Sequence, residues 1–317
     1  MINSSLLDTL LENFLNQVND LTAVLVVDAD GLIIAQESTK DFDEQIIAAI
    51  MAILDQTINK IKKYAETSFG SGTLDTNEFR LFYLELGGDF PVIFVIVTDS
   101  YTNIDKYIPY SYLVAEKVSL LINNTNDINV RLPELLENGE LRFNSCKSSN
   151  KRTKNYILVI GPQKVGKTAL VNKYTNNAFI EHYKPTIGLS IVKKELQISK
   201  KIQSILYLFD MGGFKAFGKV RKHFYESIDI KTIVLVFDYS KESTLDKIND
   251  WFYEVNLFNK QESIQYVLVG NKIDKIDYRE EIRKKAENIA NEYNCRLYET
   301  SALTGQGIDE LFMNIAF

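Results

Sequence analysis

The strongest constraint on this chain is one stretch near its middle, Tyr156-Ile-Leu-Val-Ile-Gly161-Pro-Gln-Lys-Val-Gly166-Lys167-Thr168. The apolar run that stops at Gly161 reads as a buried strand, and Ala169 to Tyr174 reads as the start of a helix. Gly161 to Thr168 between them follow G-x-x-x-x-G-K-T. Such a turn lets successive backbone N–H groups point inward at phosphate oxygens, and the positive end of the following helix adds to the attraction. Lys167 is then placed to reach the terminal phosphates, and the Thr168 hydroxyl to sit on Mg²⁺. Gln163, Lys164, Val165 and Ala169 complete the phosphate-binding set. A Gly-rich strand–helix turn without a ligand accounts for the glycines but not for the adjacent Lys-Thr.

The rest of the chain narrows the class. Its 317 residues suggest two domains. The net charge of −6 and the scattering of the basic residues argue against nucleic acid as the main partner. Cys146 and Cys295 are too few and too separated for a disulfide framework or a metal cluster, which fits a reducing, cytoplasmic compartment. No window approaches about 18 uninterrupted apolar residues, so no transmembrane span is expected. The start Met1-Ile2-Asn3 lacks a signal-peptide layout and a myristoylation glycine, and the end Ala316-Phe317 lacks a prenylatable cysteine. The expectation is a protein with no intrinsic membrane anchor.

In the first 123 residues, Leu6, Leu7, Leu10, Leu11, Phe14 and Leu15 recur at helical spacing. Leu21 to Val27, the turn Asp28-Ala-Asp30-Gly31 and Leu32 to Gln36 read as a β-hairpin, with both aspartates as turn formers rather than metal ligands. A long helix is expected from Phe42 to Ala65. Ile46, Ile47, Ile50, Met51, Ile53, Leu54, Ile58 and Ile61 cover more than one stripe of it, which implies a second buried face, with Met51 on it. Three strands (Thr67–Thr76, Phe79–Leu86, Pro91–Thr98) and a helix from Asp105 to Ile122 complete the half. The element order, and the wording Leu25-Val-Val-Asp28-Ala-Asp30-Gly31-Leu-Ile-Ile-Ala35, resemble the roadblock family over roughly residues 5–122. The resemblance implies a small α/β sandwich that dimerises and serves as a platform for small GTPases, with no catalysis of its own. Packing of the second apolar face on the rest of the same chain is the alternative to a homodimer.

From Asn123 to Lys154 the composition turns polar and suits a linker, with a short helical turn at Leu132-Pro-Glu-Leu-Leu136. Beyond the phosphate loop, four stretches follow in order. His182-Tyr-Lys-Pro-Thr186-Ile-Gly188 is a loop whose Thr186 can complete a Mg²⁺ shell. Ile202 to Phe209 is a strand ending in Asp210-Met-Gly-Gly213; Asp210 approaches the metal through water and the Gly213 N–H holds the terminal phosphate. Tyr266 to Val269 is a buried strand ending in Gly270-Asn271-Lys-Ile-Asp274. Leu297-Tyr-Glu-Thr-Ser301-Ala302-Leu303 ends another. Strand ends at one edge are where α/β sheets bind ligands.

The set resembles the Ras superfamily of small GTPases across residues 155–317. The resemblance implies an α/β fold of two parts: a roadblock-like α/β sandwich, then a P-loop GTPase fold with a mostly parallel sheet flanked by helices. The divisions are 1–123, a linker at 124–154, and 155–317. It implies GTP/GDP with Mg²⁺ as ligands, Lys167, Thr186 and Gly213 as the residues that act on the terminal phosphate, and Thr168, Thr186 and Asp210 as the metal set. Asn271 and Asp274 read guanine, Lys272 lies along the base, the Ala302 N–H meets O6, and Ser301 and Leu303 flank it. Glu299 to Gly305 is most similar to Rab proteins, whereas Asp210-Met-Gly-Gly and Arg-Lys-His-Phe-Tyr225 are more similar to Arf proteins. His182 and His223 have no neighbours that suggest a base or a ligand. Two positions depart from the pattern: Gln163 replaces a small residue, and Phe214 stands where competent relatives carry a water-orienting glutamine. The reading is a nucleotide-controlled switch that hydrolyses slowly, with effector, exchange factor and activating protein unidentified. A GTP-binding scaffold with little turnover is the rival, and an ATP-using P-loop enzyme stands third.

Overall fold

The computed structural model describes residues 4–39, 45, 47–53, 70–88, 90–123, 128–136, 141–143, 151–179, 184–199, 202–259, 261, 263–275 and 280–316. Much of the helix expected from Phe42 to Ala65, the start of the strand expected from Thr67, and His182 lie outside them. The chain divides into two compact units, Met1–Ser145 and Cys146–Phe317.

In the first unit, α1 (Ser4–Gln17) leads into an antiparallel sheet of β1 (Leu21–Asp28), β2 (Ile33–Ser38), β3 (Ser71–Asp75), β4 (Phe79–Leu86) and β5 (Val92–Asp99), in the order β2-β1-β5-β4-β3. Residues 47–53 form helix α2, and α3 (Ile108–Ile122) closes the unit. Alternation along the strands divides the apolar residues between two faces. Ala23, Leu25, Val27, Ile93 and Val95 meet Ile47, Ala48 and Met51 of α2 on one face. On the other, Phe14 of α1 lies 6.2 Å from Phe94 and 5.5 Å from Tyr110 of α3, ring to ring. The hairpin turn is fixed by Asp28, whose Oδ1 accepts from the N–H groups of Asp30 (2.9 Å) and Leu32 (2.8 Å).

The expectation for Met51 is corrected. Its side chain is fully buried against the sheet of its own unit, so it belongs to the inner stripe of α2. Ile53 is the exposed apolar residue of the described turns, at 68%. The helical turn expected at Leu132–Leu136 is instead a strand pair, β6 (Glu134–Leu135) with β7 (Leu141–Arg142). The physical reason is tertiary: Gln17 Nε2 of α1 donates to Leu132 O (3.5 Å) and the Tyr110 hydroxyl of α3 donates to Pro133 O, and these bonds tether the segment to the two helices while Glu134 and Leu135 pair with β7.

The second unit is built on a six-stranded sheet. In chain order its strands are β8 (Lys151–Ile160), β9 (Leu189–Ser199), β10 (Ile202–Met211), β11 (Ile230–Asp238), β12 (Gln265–Asn271) and β13 (Arg296–Glu299). They lie in the order β13-β12-β11-β8-β10-β9, parallel except for β9 against β10. β8 begins inside the stretch read as linker. The helices are α4 (Lys167–Asn176), α5 (Gly218–Ser227), α6 (Glu242–Asp246), α7 (Ile248–Phe258), α8 (Glu280–Glu292) and α9 (Ile308–Ala316). Both faces are covered, so the inner stretches of the central strands are continuous apolar runs: Ile157 to Ile160 and Ile233 to Phe237 are all buried. Leu170, Val171 and Tyr174 of α4 and Leu311, Phe312 and Ile315 of α9 pack with Ile157, Val159, Leu206 and Val236. Across the sheet, α5 brings Phe224 within 6.0 Å of Phe209, ring to ring. The C-terminal ends of β8, β10, β11, β12 and β13 therefore open on one edge, and the phosphate loop and residues 210–213, 271–274 and 301–303 sit there.

Candidate functional site

The phosphate loop connects β8 to α4, and its two ends tolerate no side chain. Gly161 has φ +138, and a methyl group there would fall 2.3 Å from Val236 O. Gly166, the residue before α4, has φ +97, and a methyl group would fall 2.4 Å from Asn271 Nδ2. Gly166 has no side chain to cap the helix, which leaves the first N–H groups of α4 facing the loop cavity for an anion. Lys167 is buried, and its ammonium donates to Gly161 O (2.8 Å) and Pro162 O (2.7 Å). Burial pushes its pKa down to about 8. An anion in the loop would oppose that shift. Gln163 and Lys164 face solvent, while Val165 is buried beneath the loop.

Three oxygen-bearing side chains meet beside Lys167. Thr168 Oγ1 donates to Asp210 Oδ2 at 2.6 Å, Thr186 Oγ1 donates to the same oxygen at 3.1 Å, and the two hydroxyls are 2.9 Å apart. Asp210 is buried, and its Oδ1 has no hydrogen-bond partner among the described residues. Burial raises its pKa, opposed by the hydroxyl of Thr168, the charge of Lys167 and the hydroxyl of Thr186. An oxygen-only donor set around an orphaned carboxylate oxygen suits a hard divalent cation of the Mg²⁺ kind. Thr186 is brought in by the backbone pairing Gly212 N–H to Gly188 O (2.8 Å), which continues the β9–β10 ladder. Gly213 stands against the phosphate loop from the other side.

Beside these lies a cleft of about 570 Å³, lined by Gly166, Ala169, Phe179, Lys272, Asp274 and Leu303 among others. Asn271 is fully buried at its floor. Its Nδ2 donates to Val165 O (2.9 Å), and its Oδ1 accepts from Thr300 Oγ1 and the Ala302 N–H, both at 3.2 Å. Asn271 thus ties the phosphate loop to the loop after β13. The Ala302 N–H, expected at a base oxygen, is bound to Asn271 here. Ser301 Oγ donates to Asp274 Oδ1, which fixes that carboxylate at the cleft wall. Lys272 adopts φ 66 and is held at its tip by Asp238 Oδ2 (2.8 Å) and Lys164 O, so its stem runs along the cleft. Asp238 is itself anchored by Ser240, through the N–H (2.9 Å) and the hydroxyl (2.6 Å).

Lys167, Thr168, Thr186, Asp210 and Gly213 are therefore together, as are Asn271, Lys272, Asp274, Ser301, Ala302 and Leu303. Sequence reasoning missed Phe179, Lys241, Lys275 and Asp238. Phe179 carried a signal: a lone aromatic in Asn176-Asn-Ala-Phe179, just past α4 and 39% exposed. His223 lies on α5 with its ring 5.3 Å from that of Phe224. Among the described residues, no group of three or more His, Cys, Asp or Glu could hold a metal, and no helix is long and apolar enough to cross a membrane.

Nucleoside phosphates are what such a sheet edge is shaped to hold, and the class is that of P-loop nucleotide-binding proteins. The Ras family model matches residues 156–317, and that of the Roadblock/LC7 domain matches residues 7–84. The Ras-related protein RABG3f of Arabidopsis thaliana is 33% identical over 174 residues, which cover 53% of this chain and 83% of that protein. The Ras-related protein Rab7 of Pisum sativum is 34% identical over 175 residues, with 53% and 83% covered. The chain belongs to the Ras family, as a small GTPase with an N-terminal roadblock domain.

Proposed function

We propose that this protein is a Mg²⁺-dependent switch that holds GTP for long periods, hydrolyses it slowly, and self-associates through its roadblock domain. The observation that carries the reading is the convergence of Thr168, Thr186 and Asp210 on one point beside Lys167, with Asp210 Oδ1 left without a partner among the described residues. Thr168, Thr186 and Asp210 would hold the cation, which when bound neutralises charge on the terminal phosphates. Lys167 would exchange its two loop carbonyls for phosphate oxygens. The backbone of Gly161 to Ala169, including Gln163, Lys164 and Val165, would wrap the phosphate chain. Asp274 would accept the two N–H groups that guanine offers and adenine lacks, so an adenine lying on this carboxylate would cover it without pairing it, and ATP would be rejected. Lys272 and Phe179 would cover the two sides of the base, with Ser301, Ala302 and Leu303 at its edge. Asn271 would act by holding the two loops together.

Loss of the terminal phosphate would release Thr186 and Gly213 and loosen both loops, so a partner that reads them sees one state only. Phe214 has no donor or acceptor to orient a water, so hydrolysis is slow without a partner that supplies the missing group. In this reading residues 1–123 are the platform, 124–154 the linker and 155–317 the GTPase, working in the cytoplasm. Phe214 also favours the second reading, a GTP-binding scaffold with almost no turnover. Single-turnover phosphate release separates them. A rate on the order of 10⁻⁴ s⁻¹, typical of unaided Ras-like proteins, supports the switch. No release over days supports the scaffold, and a rate far above that value contradicts slow turnover.

A further inference from the structure

We propose that Arg221 is a positioning residue that aims the Gly213 N–H at the terminal phosphate, and that it does so only while paired with Glu254. The proposal deepens the switch reading and rests on it. Arg221, on α5, is only 2% exposed, and every nitrogen of its guanidinium is engaged. Nη1 donates to Gly212 O (2.9 Å) and to Phe214 O (2.8 Å). Nε and Nη2 donate to Glu254 Oε1 (2.6 Å) and Oε2 (2.8 Å), a two-point pairing with α7 that lysine has no geometry to make. The guanidinium lies 4.6 Å from the ring centre of Trp251, and the Tyr225 hydroxyl donates to Glu254 Oε1 (3.1 Å), so both partners are held in place.

The two carbonyls bound by Nη1 flank Gly213. In a trans peptide the carbonyl of one residue and the N–H of the next point in opposite directions, and no described peptide bond is cis. With Gly212 O turned toward Arg221, the Gly213 N–H is turned away from it. Gly213 itself abuts the phosphate loop: a methyl group on it would fall 2.8 Å from both Gly161 O and Lys167 Nζ, and 2.9 Å from Gln163 N. One buried cation thus orients the peptide that would meet the third phosphate. Part of the ordering that a terminal phosphate would otherwise have to impose on this turn is already present, the rest coming from the phosphate itself, which strengthens binding of the triphosphate and leaves the diphosphate unaffected. Glu254 acts through Arg221 and touches no ligand.

The test compares equilibrium affinities for GDP and for a non-hydrolysable GTP analogue, with Mg²⁺, in the full chain carrying Arg221→Lys, Glu254→Gln or both. The expected result is about a tenfold loss for the analogue with GDP held within about twofold, and a double variant no weaker than the worse single one. GDP binding is the control for folding. A parallel loss of both ligands would show that Arg221 merely supports the fold, and unchanged analogue binding would show that it aims nothing; either result overturns the proposal. If the unsubstituted chain bound neither nucleotide, the switch reading itself would fall, and the proposal with it.

Discussion

Asn271→Ala is the substitution whose cost follows most directly from the structure. It removes the acceptor of the Ala302 N–H and the donor to Val165 O, at residues that are 3% and 0% exposed. A buried backbone group left unpaired costs about 1–3 kcal/mol, so two such groups cost roughly 2–6 kcal/mol. The Thr300 hydroxyl also loses its acceptor, but it can rotate and adds little. With a central loss of about 4 kcal/mol and a urea m-value of about 2 kcal/mol per M, the unfolding midpoint should fall by about 2 M. Trp251 is the only tryptophan and lies in the second unit, so its fluorescence follows that unit alone. Thr300→Val is the control. It removes one hydroxyl donor to the same oxygen and should cost about 1 kcal/mol. If Asn271→Ala shifted the midpoint no further than Thr300→Val, the reasoning that Asn271 ties the two loops together would be wrong.

Asp274→Asn should move base preference from guanine toward xanthine nucleotides, measured by competition against a fluorescent GDP; retention of full guanine preference would remove Asp274 from the base site. Phe214→Gln should raise single-turnover hydrolysis by about tenfold or more, and an unchanged rate would mean that water orientation is not what limits turnover. In the first unit, Ile53→Glu should convert dimers to monomers by size-exclusion chromatography without loss of helical signal. Met51→Glu should instead destabilise the unit by roughly 3 kcal/mol or more, because it places a charge in the core. Dissociation by Met51→Glu with the fold intact would contradict that placement. Chelation of Mg²⁺ should speed GDP release by at least about tenfold, since Thr168 and Asp210 then face the phosphates without a cation; an unchanged release rate would argue against the metal set.

The phosphate loop and the Asp210-Met-Gly-Gly turn were legible because their chemistry is local: a short run of residues fixes both the backbone shape and the reactive groups. The sheet was legible for a related reason, since Ile157 to Ile160 of β8 and Ile233 to Phe237 of β11 are apolar without interruption and so announce burial on both faces. The face of α2 was not. Apolar residues all round a helix show that two stripes exist but not which one meets the sheet, and Met51 falls on the inner one, opposite to the sequence expectation. At Leu132–Leu136 the pattern was overridden by Gln17 and Tyr110, more than a hundred and more than twenty residues away respectively. The Arg221–Glu254 pair spans 33 residues and depends on how α5 crosses α7, so neither residue carries a local sign of its partner. Phe179 and Asn271 differ in kind: the first was visible but unread, whereas the three partners of the second exist only once the strand ends have come together.

The central claim is that the edge formed by Lys167, Asp210 and Asp274 holds a guanine nucleoside triphosphate. Equilibrium competition with Mg²⁺ against fluorescent GDP tests it most directly. GTP and GDP should displace the probe at comparable concentrations, and ATP should leave it bound even at about a hundredfold excess over GTP. Displacement by ATP as effective as that by GTP, or no displacement by GTP, would contradict the account.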